Sequence, residues 1–253
     1  MSLVLNEHEW ANEMILSKNL GEKPFETLYR VAKYYIDEGY KKGEVRKLLD
    51  AFLLRCDSCA SLPKWSDTLD RALTKAMKYN TIMIDKLVIT DKEMNTINSL
   101  EGKQLRRLAF TLLCLAKYYD AVNPECNHWV GCSDSEIMHM ANINTSIKRQ
   151  SLMYYTLNEL GLIQFSKKVD NTSVRVCFIE GGEPAFEVTD MRNIGYQYLM
   201  SCGDKGYMKC QNCGMTVKCS NPSSGRKQKY CAGCAASIQL RQTAESIFRK
   251  RSA

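Results

Sequence analysis

The chain has 253 residues, 45% of them hydrophobic, which is enough for one large domain or two to three small ones with real cores. No apolar run approaches the ~18 residues of a membrane span, Met1 to Glu7 lacks the basic and long apolar regions of a secretory signal, and twelve cysteines in the cytoplasmic protein so expected point to thiols and metal ligands rather than disulfides. The net charge of +7 belongs to the last 53 residues, which carry 10 basic and 2 acidic side chains, whereas residues 1–100 carry 15 of each and residues 101–200 carry 10 basic and 11 acidic. Counterion release by Lys and Arg drives phosphate binding, so that driving force is concentrated at the C-terminus.

Residues 1–86 read as a helical scaffold or partner-binding domain. Asn6 with Glu9 opens a first helix, with Trp10, Met14 and Ile15 inward. Gly21 and Pro24 separate it from a second, in which Phe25, Leu28, Val31 and Tyr35 form one stripe ended by Gly39. A third helix spans about Gly43 to Cys56, Ser61-Leu62-Pro63 reads as a linker, and a fourth helix runs from about Trp65 to Tyr79. Alternating charges on the last, from Asp67 to Lys78, describe a solvated face.

Residues 87–203 read as a winged helix-turn-helix with a connecting helix. Leu87-Val88-Ile89 is the expected first strand of its sheet, and Thr90 with Glu93 makes a capping box. Leu105, Leu108, Leu112, Leu115 and Tyr119 set one buried stripe on the helix that follows. Ser133 and Glu136 form a second capping box, opening a short helix to about Ala141, and Asn142-Ile143-Asn144 breaks it. Thr145 is the expected cap of a longer helix ending at Leu160, with Gly161 at the left-handed position beyond it. On that helix Ile147, Tyr154 and Leu157 are expected inward beside Met153 and Leu160, with Lys148, Arg149, Leu152 and Tyr155 opposite. Ile163 and Phe165, then Val174, Val176 and Phe178, alternate across a polar turn as a hairpin, with Lys167 and Lys168 at its tip. Cys114 and Cys177 fall on helix and strand as packing residues. Phe186-Glu187-Val188 adds an edge strand, and Asp190 caps a helix to about Cys202.

Residues 204–253 carry the strongest chemical signal. Cys210 and Cys213, then Cys231 and Cys234, form C-x2-C, seventeen residues, C-x2-C. Two such knuckles can surround one Zn²⁺ tetrahedrally through four thiolates, an iron–sulfur cluster or a redox pair being the alternatives, and Gly214 suits the tight turn that aims backbone amides at sulfur. With no open position for water, the ion is structural. Arg226, Lys227 and Lys229 lie between the knuckles, and a helix from Ala235 to Arg251 adds Arg241, Arg249, Lys250 and Arg251. The last three also suit a helix C-terminus, whose dipole favours cations. Cys56, Cys59, Cys126, His128 and Cys132 make a second conceivable set, but C-x-H-x3-C is not a common knuckle and ordinary thiols account for it.

The stretches Leu105 to Tyr119, Ile147 to Ser151 and Glu159 to Ile163, together with the terminal cysteine motif, resemble winged-helix plus zinc-ribbon proteins encoded by phages and other mobile elements of Gram-positive bacteria. The resemblance implies a mobile-element setting and brings no catalytic residue. The fold expected is mainly α with small β: helical N-terminal domain, central winged helix-turn-helix, C-terminal four-cysteine zinc ribbon. The function expected is non-enzymatic binding of nucleic acid, double-stranded DNA foremost, by an accessory or regulator of replication, recombination or transcription. The contacts fall to Lys148, Arg149, Lys167, Lys168, Arg226, Lys227, Lys229, Arg241, Arg249, Lys250 and Arg251. The alternative is a phage-encoded inhibitor or adaptor that blocks a host or defence nucleoprotein, such as a CRISPR nuclease. Leu152, Tyr155 and the neutral N-terminal domain would then meet a host or phage protein. His8, His128 and His139 sit in no catalytic motif, and neither a Gly-rich phosphate loop nor a carboxylate pair set for two metals is present.

Overall fold

The computed structural model describes residues 3–167, 173–220 and 228–251, with side chains as far as residue 246. The chain is mainly helical with small antiparallel sheets. It divides into two compact units, Met1–Asp85 and Lys86–Ala253. Residues 204–253, expected as a part of their own, cluster with residues 86–203 in the second unit.

The first unit contains α1 (Glu7–Ser17), α2 (Pro24–Asp37), α3 (Lys42–Cys56) and α4 (Leu62–Ala76). Asn6 accepts from the Glu9 amide and caps α1. Ser61-Leu62-Pro63 is not a linker. It is the start of α4, because proline fits the first helical turn, where no N–H is needed. Helix α2 packs against each of the other three, and its Leu28, Val31 and Ala32 are sealed from water with Val45, Leu49, Phe52, Leu69 and Ala72. Three buried charges sit at its edge. Glu7 accepts from Arg30 Nε at 3.2 Å, from Lys33 Nζ at 2.6 Å and from the Ile82 amide at 3.1 Å, so each charge has partners in place of the water it lost. The same carboxylate thereby fastens Ile82, and Lys33 the Asn80 carbonyl, to α1 and α2.

The second unit runs β1 (Leu87–Thr90), α5 (Asp91–Ser99), α6 (Lys103–Val122), β2 (Trp129–Val130), α7 (Asp134–Met140), α8 (Ile147–Glu159), β3 (Ile163–Phe165), β4 (Val174–Val176), β5 (Pro184–Val188), α9 (Ile194–Ser201), β6 (Tyr207–Lys209), β7 (Thr216–Lys218) and α10 (Ala232–Arg251). Its centre is α6. Every residue from Leu108 to Ala116 is buried, not the single stripe expected, because α6 is packed by α5, α7, α8, α9, β1, β2 and β4 around its circumference. The absence of any charge from Leu108 to Ala116 is the sequence sign of this burial. Cys114 lies within it, and burial pushes its thiol well above the ordinary range.

The sheets depart from expectation in one respect. β1 pairs not with the hairpin but with β5, Leu87 opposite Val188 and Ile89 opposite Phe186. The hairpin β3–β4 instead gains β2 as its third strand, in the order β2-β4-β3. Two residues are too short for alternation to reveal a strand. β2 is delivered by Asn127 and His128, both left-handed, and Asp120 accepts from the His128 amide at 2.8 Å to hold that bend. Cys177, expected to pack, is exposed.

Capping boxes at Thr90/Glu93 and Ser133/Glu136 are both formed. Glu93 does more than cap. It is sealed from water, accepts from Lys117 Nζ at 2.7 Å and from the amides of Thr90 and Glu180 at 2.8 and 3.2 Å. Removing one partner from such a pair leaves the other charge buried and unmatched, at a cost of about 3–5 kcal/mol. Glu93→Ala is therefore expected to lower the unfolding free energy by about that much, read by urea denaturation. Glu93→Gln, which keeps an acceptor, should lose less.

Candidate metal centre and candidate nucleic-acid interface

Strands β6 and β7 pair with Tyr207 opposite Lys218 and Lys209 opposite Thr216, and the turn between them carries the first knuckle. Gly214 has φ +70°, a conformation costly for any other residue, and its amide donates to the Cys210 carbonyl at 2.9 Å. The Cys210 amide donates to Met215 O at 3.0 Å, which closes the turn. The second knuckle is tied to the first through the Gln211 amide, 2.9 Å from Lys229 O, and α10 begins directly after Cys231.

The sulfurs of Cys210, Cys213, Cys231 and Cys234 all lie within 4.8 Å of one another. Four thiolates at about 2.3 Å from a tetrahedral ion would be about 3.8 Å apart, and the Cys213 and Cys231 sulfurs are 3.9 Å apart. Amides are aimed at sulfur, as a thiolate cluster requires. The Cys231 amide lies 3.3 Å from Cys210 Sγ, the Cys234 amide 3.4 Å from Cys231 Sγ, and Asn212 Nδ2 3.3 Å from Cys234 Sγ. Burial alone would push the Cys210 thiol up, but the amides of Cys231, Cys213 and Asn212 outweigh it and bring the thiol down to about 6. Burial, joined by the neighbouring Cys234, Cys210 and Cys231, pushes Cys213 up to about 12. Cys234 is also raised, mainly by burial. These residues fit a thiophilic cation, which takes all four as thiolates.

Among the described residues, these cysteines are the one group of three or more His, Cys, Asp or Glu side chains placed to share an ion. Within the second set weighed from sequence, His128 Nδ1 is bonded to the Asp120 carboxylate, and Cys132 Sγ lies 3.0 Å from the Tyr119 hydroxyl. Cys56 and Cys59 belong to the first unit.

Helix α8 begins at Ile147, not at a Thr145 cap. Ser146 holds the cap position without a side-chain bond, and the Thr145 carbonyl accepts from Gln150 Nε2 at 3.0 Å. Met153, Tyr154 and Leu157 face the core, while Ile147 (79% exposed) and Leu160 do not, contrary to expectation. Ile147 is the first helical residue and Leu160 lies beyond the last, so both stand at the ends of the buried stripe. Gly161 has the expected left-handed φ of +70°. On the outward side, Ser146, Lys148, Arg149, Ser151, Leu152 and Tyr155 line one shallow depression.

Of the remaining cations, Lys167, Lys229 and Arg241 are exposed. Lys168, Arg226 and Lys227 lie outside the described residues, as do the side chains of Arg249, Lys250 and Arg251 on α10. Helix α10 meets little else: from residue 232 to 246 its side chains are exposed except for half-buried Cys234 and Ile238.

Sequence reading missed the residues that join the cysteine module to the α7–α8 turn. Arg192 Nη2 donates to the Cys213 carbonyl at 2.8 Å, and Asn193 Nδ2 donates to Thr216 O at 2.9 Å. Asn193 Oδ1 accepts from Asn142 Nδ2 at 2.9 Å, and Asn142 Oδ1 accepts from the Tyr196 amide at 3.2 Å. Asp190 is not the cap of α9; it grips the Arg192 guanidinium, and left-handed Asn193 holds the cap position. Asn142 was legible as a turn former, but nothing local marks the reach of these side chains across 21 to 54 residues.

Metal analysis is expected to find about one thiophilic ion per chain and close to none in Cys231→Ala. Because Cys213 and Cys234 lie above neutrality without metal, binding must displace at least two protons. Affinity measured against a competing chelator, corrected for the chelator's own protonation, should then rise at least about a hundredfold per pH unit around pH 7 and fall correspondingly in acid.

Comparison of the chain with protein-family models, with curated proteins and with solved structures finds no match.

Proposed function

We propose that this chain is a non-enzymatic DNA-binding protein. In this reading α7, its turn, α8 and the sheet β2-β4-β3 act as a winged helix-turn-helix, and the four-cysteine module acts as a zinc ribbon. The observation that carries the reading is the outward side of α8. Lys148 and Arg149 are exposed on its first turn, and no acidic residue occurs between Glu136 and Glu159 to oppose a phosphate. Thirteen residues make a helix of about 20 Å, long enough to lie in a major groove with its N-terminal part at the base edges. The last 53 residues, at +8, supply further phosphate contacts. Zinc is the ion that best suits a closed set of four thiolates, and with its shell filled it organises the fold without activating water. In this reading the protein serves as an accessory or regulator of a DNA transaction.

A second reading draws on Leu152 and Tyr155, exposed at 61% and 57% beside Ile147. On a protein-docking helix those side chains are the anchors and the cations the rim, as in an inhibitor or adaptor directed at a host nucleoprotein.

Salt dependence separates the two, since phosphate contacts weaken steeply with salt and apolar anchors do not. Lys229→Gln and Arg241→Gln are each expected to weaken DNA binding and to reduce the slope of log affinity against log salt by about 1. Arg149→Ala should cost about 1–3 kcal/mol of discrimination between sites if its contact is bidentate, with Tyr155→Ala costing less. A larger loss from Tyr155→Ala than from Arg149→Ala in DNA titrations would favour the docking reading.

A further inference from the structure

The outward side of α8 mixes two chemistries that neither a phosphate-only surface nor a protein-only surface requires. Lys148 and Arg149 share one depression with Leu152 and Tyr155, and Ser146 and Ser151 also line it. If the face served phosphate alone, an exposed leucine on it would carry a hydration cost with no return. If it served an apolar partner alone, Lys148 and Arg149 would have to be desolvated with no acidic residue between Glu136 and Glu159 to match them. The DNA major groove presents both kinds of complement at once: guanine acceptors and phosphates for the cations, and the C5-methyl of thymine as the one apolar group on its floor.

Resting on the DNA reading above, we infer that Leu152, supported by Tyr155, reads thymine methyl groups, so that this protein's target holds a T·A pair next to the base contacted by Lys148 or Arg149. Leu152 lies one helical turn beyond Lys148, on the same outward side, so a methyl contact falls within the same few base pairs as the cationic contact. Met153, Tyr154 and Leu157 hold the opposite side of the helix in the core, which fixes the face that Leu152 presents.

The test uses the full chain and a random-sequence duplex pool, from which the protein enriches its preferred site. That site is then resynthesised with deoxyuridine in place of thymidine, which removes the methyls and leaves every hydrogen-bonding group and charge. Wild type is expected to bind the deoxyuridine duplex more weakly by about fourfold per methyl contacted. Leu152→Ala, an exposed change to a better helix former, should bind both duplexes equally. Arg149→Ala should lose affinity for both alike. An enriched site that contains no thymine, or equal binding of the two duplexes by wild type, overturns the methyl reading and leaves DNA binding standing. Failure to enrich any site, with no binding of the starting pool, overturns both.

Discussion

A carboxylate with no access to water, that of Glu93, is the constraint on which the second unit depends. It is bonded at once to the start of its own helix, to the ammonium of Lys117 on α6 and to the backbone at Glu180. Lys117 in turn donates to the Val88 carbonyl at 2.7 Å, and the Thr90 hydroxyl to Glu180 O at 3.1 Å. Strand β1, helices α5 and α6 and the chain leaving β4 are thus held by one small cluster. A buried ion pair adds little net stability beside an apolar substitute of the same shape, but it tolerates few alternative arrangements. Its effect here is positional: it ties β1, α5 and α6 to Glu180, four residues ahead of β5.

The same logic of polar fixation reaches the outer face. The α7–α8 turn is held by Asn142, whose carbonyl accepts from Arg107 on α6 at 2.9 Å and whose amide group meets Asn193. Gly195 lies so close beneath the turn that a Cβ there would collide with the Ala141 carbonyl. Arg192 and Asn193 continue the chain of bonds to the first knuckle and β7. The cysteine module is therefore joined to the base of α8 by backbone-directed hydrogen bonds, and the rings of Tyr196 and Tyr207, 4.9 Å apart, close the seam. Ligand set and outer helix belong to one mechanical assembly.

What the sequence made legible was whatever is decided within a few residues. The Asn6 cap, both capping boxes, the left-handed Gly161 and the two C-x2-C knuckles each depend on groups at most four positions apart, and each is present as read. Choices made across the chain were not legible. The pairing of β1 with β5 spans about a hundred residues, and β2 is too short to show a period. Ile147 illustrates the weakness of periodicity at a helix end: its position is near the apolar stripe, yet none of the described residues covers it and it stays exposed. In the cysteine cluster the ligands were plain from spacing, whereas Asn212, Arg192 and Asn193, which orient and anchor them, carry no pattern of their own.

Helix α10 follows from the second knuckle in a way that burial does not explain. A lone helix must first fix several residues before any hydrogen bond repays the loss, and helices in water usually recover that loss by packing one face. Here the described side chains of α10 pack almost nothing. Yet its first turn contains Cys234, the Cys231 carbonyl already accepts from the Ala235 amide at 2.9 Å, and both cysteines belong to the ligand set. A cation bound by the four sulfurs would hold both cysteines and so supply the nucleus from which the helix grows. An ion held there would fix the root of this arm, and its removal would free the first turn on which the rest of the helix is built.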